Sequence, residues 1–203
     1  MKKVGVLGGS FDPIHNGHLL LGQEVQDELD LDEVLFMPTF IQPFKLDKKP
    51  ASGKDRLAML ELAVKDNDKF CTTTVELDRN EVSYTLQSLR LLQEQLGNNT
   101  EIIFIVGYDM FMSICKWWKA EELLKEYSFA VGIRSGTSEE KIKQFSKELK
   151  DKYGTKIILV HNRMFDVSST EIKERINNNK SLRYLLPDAV IKYIYDKKLY
   201  DIE

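Results

Sequence analysis

The sequence predicts an α/β protein built on a doubly wound, mainly parallel β-sheet. Short apolar runs rich in Val, Ile, Leu and Phe alternate along the chain with longer segments of helical periodicity. Nearly continuous apolar strands of this kind are typical of a sheet that helices cover on both faces. The 203 residues contain no repeat, no low-complexity tract and no linker rich in Gly, Pro or Ser. We therefore expect residues 1–203 to form a single domain with one full core.

The strands and helices can be assigned in order along the chain. Strands are predicted at residues 4–7, 34–37, 70–77, 102–106, 127–133 and 156–160. Helices are predicted at residues 18–29, 54–65, 85–95, 120–126 and 139–152, and a C-terminal helical segment, about residues 168–203, is expected to pack on them. Its last helix should begin at Pro187. Ligands of open parallel sheets bind beyond the carboxyl ends of the strands, where the strand order reverses, so the segments after strands one and four should carry the chemistry.

The overall composition indicates a soluble globular protein. Hydrophobic residues make up 42% of the chain and charged residues 30%, and the formal net charge is −3. This charge gives no indication of nucleic acid or an anionic membrane as a partner. Cys71 and Cys115 lack metal-ligand spacing and fit a reducing compartment. We expect no signal peptide and no membrane span, because no run of about 18 apolar residues occurs, and hence a cytoplasmic location.

A motif with two histidines follows the first predicted strand. Residues 8–18 read Gly-Gly-Ser-Phe-Asp-Pro-Ile-His-Asn-Gly-His. Gly8 and Gly9 lack a Cβ, so the backbone there can approach a ligand closely and can adopt positive φ, and Gly17 allows the same close approach. His15 and His18 are three residues apart at a helix start and can project from one face. The free N–H groups and the positive dipole end of that helix attract anions, and two imidazoles can stabilise the charge of a transferred phosphoryl or nucleotidyl group.

Other interpretations of this segment carry less weight. The glycines do not have the spacing of the dinucleotide-binding fingerprint. A metal site is disfavoured because neither histidine has a carboxylate at ligand spacing. Two histidines could also simply cap or pack against the helix, and that alternative stays open on this segment alone.

A second segment with anion-binding character lies near the C-terminus. Residues 167–173 read Val-Ser-Ser-Thr-Glu-Ile-Lys. Ser168 and Glu171 form a capping box, so part of the pattern only begins a helix. Three consecutive hydroxyl residues with Lys173 in the first turn exceed what a cap requires. Hydroxyls, free N–H groups and a cation at one point suit a triphosphate.

The two motifs together resemble the hallmark motifs of the nucleotidyltransferase superfamily related to class I aminoacyl-tRNA synthetases. The resemblance covers nearly the whole chain and is closest to bacterial nicotinate-nucleotide adenylyltransferases. It rests further on segments that start at Pro38, Pro43, Arg56, Glu76, Ser83, Ile105, Lys116, Ile133 and Leu186. It implies a Rossmann-like nucleotidyltransferase fold. It also implies that the 5′-phosphate of nicotinate mononucleotide attacks the α-phosphorus of ATP, giving nicotinate adenine dinucleotide and pyrophosphate.

The resemblance also implies which residues form the site. His15, His18 and Lys173 would be catalytic, with Mg²⁺ carried on ATP and no metal ligand from the protein. ATP would bind Gly8, Gly9, Ser10, Phe11, His15, His18, Lys45, Gly107, Asp109, Arg134, Ser168, Ser169, Thr170 and Lys173. Nicotinate mononucleotide would bind Ser10, Thr39, Lys45, Ser83, Tyr84, Thr85, Asp109 and Trp117, with Trp117 stacked on the pyridine ring. A homodimer is compatible with this assignment.

Two positions depart from the family pattern, and several alternatives stay open. Family members often have His at the position of Phe44 and usually Arg at that of Lys173, so the bidentate guanidinium fork is lost there. The residues Ser83, Tyr84 and Thr85 could be an ordinary helix cap, and of Trp117 and Trp118 at least one is expected in the core. The acceptor could instead be nicotinamide mononucleotide or phosphopantetheine. A non-catalytic nucleotide sensor is the alternative of a different class.

Overall fold

The computed structural model describes residues 1–41, 50–133, 138–161 and 167–200. The strands are β1 Lys2–Gly9, β2 Glu33–Pro38, β3 Phe70–Thr72, β4 Thr100–Gly107, β5 Ser128–Ile133 and β6 Ile157–His161. The helices are α1 Asn16–Leu29, α2 Gly53–Val64, α3 Thr85–Leu96, α4 Tyr108–Met112, α5 Ala120–Glu126, α6 Glu139–Tyr153, α7 Ser169–Asn177 and α8 Asp188–Asp196, with a short 3₁₀ turn at Ile114–Lys116. Within these ranges no helix combines the length and apolarity that crossing a membrane would require.

The six strands form one parallel sheet in the order β3-β2-β1-β4-β5-β6. The first and fourth strands are therefore neighbours at the centre, with Val6 opposite Phe104 and Leu7 opposite Ile105. The chain winds outward in one direction from β1 and in the other from β4, which makes this pair the switch point of the sheet. The predicted fold class is confirmed. The segments that follow β1 and β4, where the chemistry was expected, therefore start from neighbouring strands.

Each face of the sheet has its own hydrophobic core. Successive strand residues alternate between the faces, so Val34 and Phe36 belong to one cluster while Leu35 and Met37 belong to the other. Residues of α1, α2, α7 and α8 complete the first cluster, and residues of α3, α4, α5 and α6 complete the second. The C-terminal helices are thus packed on the same face as α1, which brings α7 close to the first loop.

Two local expectations differ from the structure, and two short elements were not expected. Gly8 and Gly9 belong to β1, because their backbone continues to pair with Met37 and Pro38. The positive φ that the turn requires falls instead on Phe11, at 45°. The strand predicted at residues 70–77 ends at Thr72, since the chain then turns with the Asp78 backbone N–H bonded to the Thr74 carbonyl at 2.9 Å. Helix α4 and the 3₁₀ turn were not predicted.

Candidate active site

The two histidines of the first motif lie against each other at the start of α1. His15 is the N-cap residue and His18 is the third residue of the helix, and their side chains and backbone N–H groups form a reciprocal capping box. The ring centroids are 3.6 Å apart with an angle of 25° between the planes. The ring of Phe11 meets His18 edge-on, with the centroids 5.0 Å apart. Both imidazoles therefore stand on one face of the first turn, as the spacing predicted.

A buried arginine supports the turn that carries these histidines. Arg56 on α2 is only 2% exposed. Its guanidinium donates to the Ser10 carbonyl at 2.7 Å and to the Ala51 carbonyl at 3.1 Å. Burial lowers the pKa of Arg56, and the negative charge of Asp12 opposes that shift. Sequence reasoning quoted Arg56 but gave it no role; its place on the same helix face as buried Met59 was the available signal.

The second motif begins α7 beside the first. Ser168 caps the helix, because its hydroxyl accepts from the Glu171 backbone N–H at 3.1 Å. The Ser169 hydroxyl donates to the Pro13 carbonyl at 2.9 Å, which ties the two motifs together. A Cβ at Gly17 would lie 3.3 Å from the Val167 side chain, so the glycine permits this close approach. The N-termini of α1 and α7 consequently lie next to each other, and each can bind an anion.

Lys173 connects α7 to the first loop through Asp12. Its ammonium group forms an ion pair and hydrogen bond with Asp12 Oδ2, and it lies over the Tyr200 ring, 4.8 Å from the centroid. The other carboxylate oxygen of Asp12 accepts from the Ala51 N–H at 3.0 Å and from the Tyr200 hydroxyl at 2.9 Å. Burial, with Asp12 adding to it, raises the pKa of Tyr200. Sequence reasoning missed Asp12, although it stands within the quoted motif.

A cavity of about 350 Å³ begins at the carboxyl end of β1. Apolar and aromatic side chains make up much of its wall, with Thr39, Ser83, Tyr84, Thr85 and Trp117 among the lining residues that the sequence assigned to the second nucleotide. The full lining is Gly8, Gly9, Met37, Thr39, Glu76, Ser83, Tyr84, Thr85, Phe104, Met110, Lys116, Trp117 and Trp118. The structure thus brings five predicted residues, together with Gly8 and Gly9, around one space.

The segment before α3 shapes one wall of this cavity. Tyr84 is the N-cap residue of α3 and makes no side-chain cap. The Ser83 hydroxyl accepts from the Phe40 backbone N–H at 3.0 Å, so it holds a neighbouring loop and leaves the helix start uncapped by side chains. The segment does supply the N-cap residue of α3, as that alternative has it, but without a side-chain capping bond.

Neither tryptophan belongs to the buried core. Trp117 is half-buried and meets the Phe104 ring edge-on at 6.1 Å. Trp118 is 39% exposed and lies on Tyr84, with the ring centroids 5.0 Å apart. The expectation that one of the two is a core residue is met only in part: Trp117 packs against the second core cluster, but neither ring is fully buried and both line the cavity.

The remaining residues predicted to bind the nucleotides differ in their exposure and in their position in the structure. The Phe11 side chain is buried at 1% exposure, so only its backbone can reach a ligand. Gly107 ends β4 and caps α4, and Asp109 is exposed in the first turn of that helix, next to Met110 in the cavity wall. Ser168 and Thr170 are exposed on the first turn of α7. The predictions for Phe44, Lys45 and Arg134 lie outside the described residues.

The arrangement suits transfer of a nucleotidyl group between two bound nucleotides. Paired helix starts with imidazole, hydroxyl and ammonium groups form an anion site, and a separate cavity lies at the end of the same strand. In the described part of the chain, no three His, Cys, Asp or Glu side chains form a group that could hold a metal ion. These residues do not provide an all-protein Mg²⁺ cage, and Mg²⁺ commonly binds through substrate phosphates with few protein ligands.

Fold and site together define a nucleotidyltransferase, and comparison with known proteins agrees. A family model described as cytidylyltransferase-like matches residues 6–175. The nicotinate-nucleotide adenylyltransferase of Bacillus subtilis is 37% identical over 201 residues, which cover 99% of this chain and all of the relative. A probable enzyme of the same name from Halalkalibacterium halodurans is 41% identical, with 98% of this chain and 92% of the relative covered. The chain belongs to the cytidylyltransferase-like family and, within it, to the nicotinate-nucleotide adenylyltransferases.

A solved structure shows the same fold. Plasmodium falciparum nicotinic acid mononucleotide adenylyltransferase complexed with NaAD superimposes with a TM-score of 0.81, covering all of this chain and 99% of the other at 20% identity. The six parallel strands and flanking helices therefore belong to an architecture that this enzyme also has.

Proposed function

We propose that the protein transfers the adenylyl group of ATP to nicotinate mononucleotide, producing nicotinate adenine dinucleotide and pyrophosphate. The observation that carries the proposal is the placement of an anion site and an aromatic cavity at the end of one strand. The stacked His15 and His18 begin the helix after β1, while Gly8 and Gly9 of β1 line the cavity. The names of the full-length relatives, and the Plasmodium falciparum structures with NaAD and APC, support this pair of substrates.

The reaction needs alignment and charge stabilisation more than acid–base chemistry. The attacking phosphate is already ionised at neutral pH, so no protein base has to remove a proton. Correct alignment of two bound reactants can lower the barrier by about 7–11 kcal/mol when the geometry is ideal. The protein's task is therefore to hold the attacking oxygen in line with the α-phosphorus and the leaving pyrophosphate.

The ATP phosphates would bind between the starts of α1 and α7. The imidazoles of His15 and His18 accept backbone N–H groups in the capping box, and their protonated ring nitrogens would donate to the phosphates. The hydroxyls of Ser168 and Thr170 are exposed at the start of the other helix. Lys173, which pairs with Asp12 in this structure, would supply positive charge from the same helix. Gly8, Gly9, Ser10, Ser169, Gly107 and Asp109 would contact the rest of ATP, and Lys45 and Arg134 are proposed to add two further cations.

The pyridine nucleotide would occupy the cavity. Thr39, Ser83, Tyr84, Thr85 and Trp117 line it, and the Trp117 ring is suited to stack on an electron-poor pyridine. Asp109 and Ser10 lie in segments at the carboxyl ends of β4 and β1, where ribose hydroxyls of either nucleotide can be held. Mg²⁺ would enter as the MgATP complex, where it neutralises phosphate charge.

The setting of the enzyme is part of the proposal. Cys71 is a half-buried free thiol and Cys115 an exposed one, which suits a reducing compartment and hence the cytoplasm. We propose a homodimer as the assembly, which sedimentation of the purified protein will test.

The decisive experiment measures pyrophosphate release with ATP and Mg²⁺ in the presence of one acceptor at a time. Nicotinate mononucleotide, nicotinamide mononucleotide and phosphopantetheine serve as the three acceptors. We expect the highest kcat/KM with nicotinate mononucleotide. A preference for either other acceptor would replace the substrate assignment, and inactivity with all three would support the nucleotide-sensor alternative.

A further inference from the structure

A buried carboxylate lies in the cavity wall and takes no part in the proposed transfer step. Glu76 is 3% exposed and lines the cavity. The Ser88 hydroxyl donates to its Oε1 at 2.6 Å. Its Oε2 is buried and has no hydrogen-bond partner among the described residues. A buried carboxylate with one unsatisfied oxygen costs free energy, so its position calls for a ligand that compensates it.

The rest of the cavity wall offers little charge. Among the lining residues within the described ranges, Glu76 is the one acidic side chain and Lys116, which is exposed, the one basic side chain. Trp117 Nε1 is also buried and without an acceptor in that part of the chain. The wall therefore contains a buried acceptor and a buried donor without partners, close to aromatic rings. This is the complement of a ligand that carries a positive and a negative group on one small ring.

The ring of a pyridine nucleotide has this charge distribution. Its nitrogen is bonded to the ribose and carries a positive charge that no deprotonation can remove, while the carboxylate of nicotinate is negative. Moving such a cation from water into an apolar cavity is costly unless an opposite charge lies nearby. Aromatic side chains supply only part of that compensation.

We propose that Glu76 is a specificity-determining residue that provides the counter-charge for the pyridinium ring of the acceptor nucleotide. The proposal rests on the proposed function, because it requires a pyridine nucleotide in this cavity. The Ser88 hydroxyl holds Oε1, so that the carboxylate keeps its position in the cavity wall, and Oε2 lies buried in that wall without a hydrogen-bond partner of normal geometry. Its charge would act on the bound ring through space. The negative charge of Glu76 then favours a cationic ring over an uncharged ring of the same shape.

The surroundings of Glu76 determine the pH dependence. Burial raises its pKa, while the Ser88 and Ser83 hydroxyls and the positive charges of Arg79 and Arg56 oppose the rise in part. Lys116 is the remaining charged group on the cavity wall. A cationic ligand stabilises the ionised carboxylate, so affinity should increase as the pH rises through the pKa of Glu76. A protonated Glu76 that donated to the nicotinate carboxylate would give the opposite trend.

Isothermal titration calorimetry of the full-length protein tests the proposal. The variants are Glu76→Gln, which keeps an acceptor for Ser88, and Glu94→Gln, an exposed control on α3. The ligands are nicotinate mononucleotide and its C-nucleotide isostere, in which an uncharged phenyl ring bearing the same carboxylate replaces the pyridinium ring. We expect Glu76→Gln to weaken the first ligand about 10- to 100-fold, as loss of a nearby opposite charge would. Binding of the isostere and of ATP, and every affinity of the control, should change less than about 2-fold.

The outcomes separate this inference from the proposed function. Equal loss of both ring ligands would show that Glu76 only shapes the cavity, and unchanged affinity for the pyridine nucleotide would show no role at all; either result overturns the inference while wild-type turnover stays intact. Stronger binding by the wild type at low pH would also overturn it. If the wild-type protein neither binds nor adenylylates a pyridine nucleotide, the proposed function and the inference fail together.

Discussion

Replacing Asp12 by Asn removes the negative charge from the ion pair that joins the histidine motif to Lys173 on α7. Asn keeps an acceptor for the Ala51 N–H and the Tyr200 hydroxyl, which both bind Oδ1, and turns an amide donor toward the Lys173 ammonium. A hydrogen bond to a charged group contributes about 1.5–3 kcal/mol. The Lys173 side chain is 32% exposed, so solvent screening reduces this to about 1–2 kcal/mol. The corresponding fall in Tm is about 2–8 °C for a chain of this length.

Urea unfolding of Asp12→Asn, Lys173→Met and the double variant measures this coupling directly. The control is Glu121→Gln, which removes an exposed helical ion pair with Lys125 and should cost at most about 0.5 kcal/mol. We expect a coupling free energy of about 1 kcal/mol between Asp12 and Lys173. A coupling no larger than the control's effect would refute the reasoning that this contact fixes α7 against the first loop. Turnover should fall in Asp12→Asn as well, because misplaced catalytic groups slow the reaction.

Three further substitutions test the site. His18→Ala should lower kcat about 10²- to 10³-fold with little change in Tm, and a folded variant with normal turnover in the pyrophosphate assay would contradict its role. Trp117→Ala should raise the KM for nicotinate mononucleotide about 10-fold and leave that for ATP unchanged; an equal rise in both would exclude stacking on the pyridine. Glu76→Gln should raise Tm at neutral pH, by about 2–4 °C for each kcal/mol gained in the free energy of unfolding. The reason is that a protein with a buried carboxyl of raised pKa loses stability as the pH rises through that pKa. This gain in Tm should shrink as the pH falls toward 4.5, the ordinary pKa of Glu. A thermal melt in which Glu76→Gln is less stable than the wild type at neutral pH would mean that the carboxylate supports the fold.

The stability gain predicted for Glu76→Gln also bears on why the residue is charged. A neutral Gln would satisfy Ser88 and avoid the cost of a buried negative charge. Retaining a group that destabilises the free protein is typical of functional sites, where local stability is given up for binding. The same substitution is thus expected to move stability and affinity in opposite directions.

Local sequence patterns were sufficient to predict the helices and strands that follow a simple hydrophobic periodicity. The helix at Ala120–Glu126 begins and ends where the sequence predicted, and Thr85 begins α3 as expected. The prediction of a strand over residues 70–77 was wrong beyond Thr72, because a mixed run of Thr, Val and Leu is compatible with a strand and with a turn. There the contacts of Thr74 with Asp78 decided in favour of the turn.

Buried charged residues were the ones that sequence reasoning could not place. Arg56 and Asp12 look like ordinary surface residues in the sequence, because their burial depends on partners far along the chain, and Glu76 is buried beside Ser88, 12 positions away. Arg56 reaches Ser10 across 46 positions, and Asp12 reaches Tyr200 across 188. No local period encodes such contacts, whereas a core-facing apolar stripe is visible from neighbouring residues alone.

The sequence by itself determined the fold class, the two helix starts suited to phosphate and the family to which the chain belongs. These follow from strand and helix periods and from short motifs whose backbone geometry is local. Only the tertiary structure decided that His15 stacks on His18 with Phe11 edge-on to His18, that Asp12 meets Lys173 across 161 positions, and that Glu76 lines the aromatic cavity. The physical reason is that these distances are set by how β1, β4 and their helices pack, and that packing brings together residues with no periodic relation in the chain.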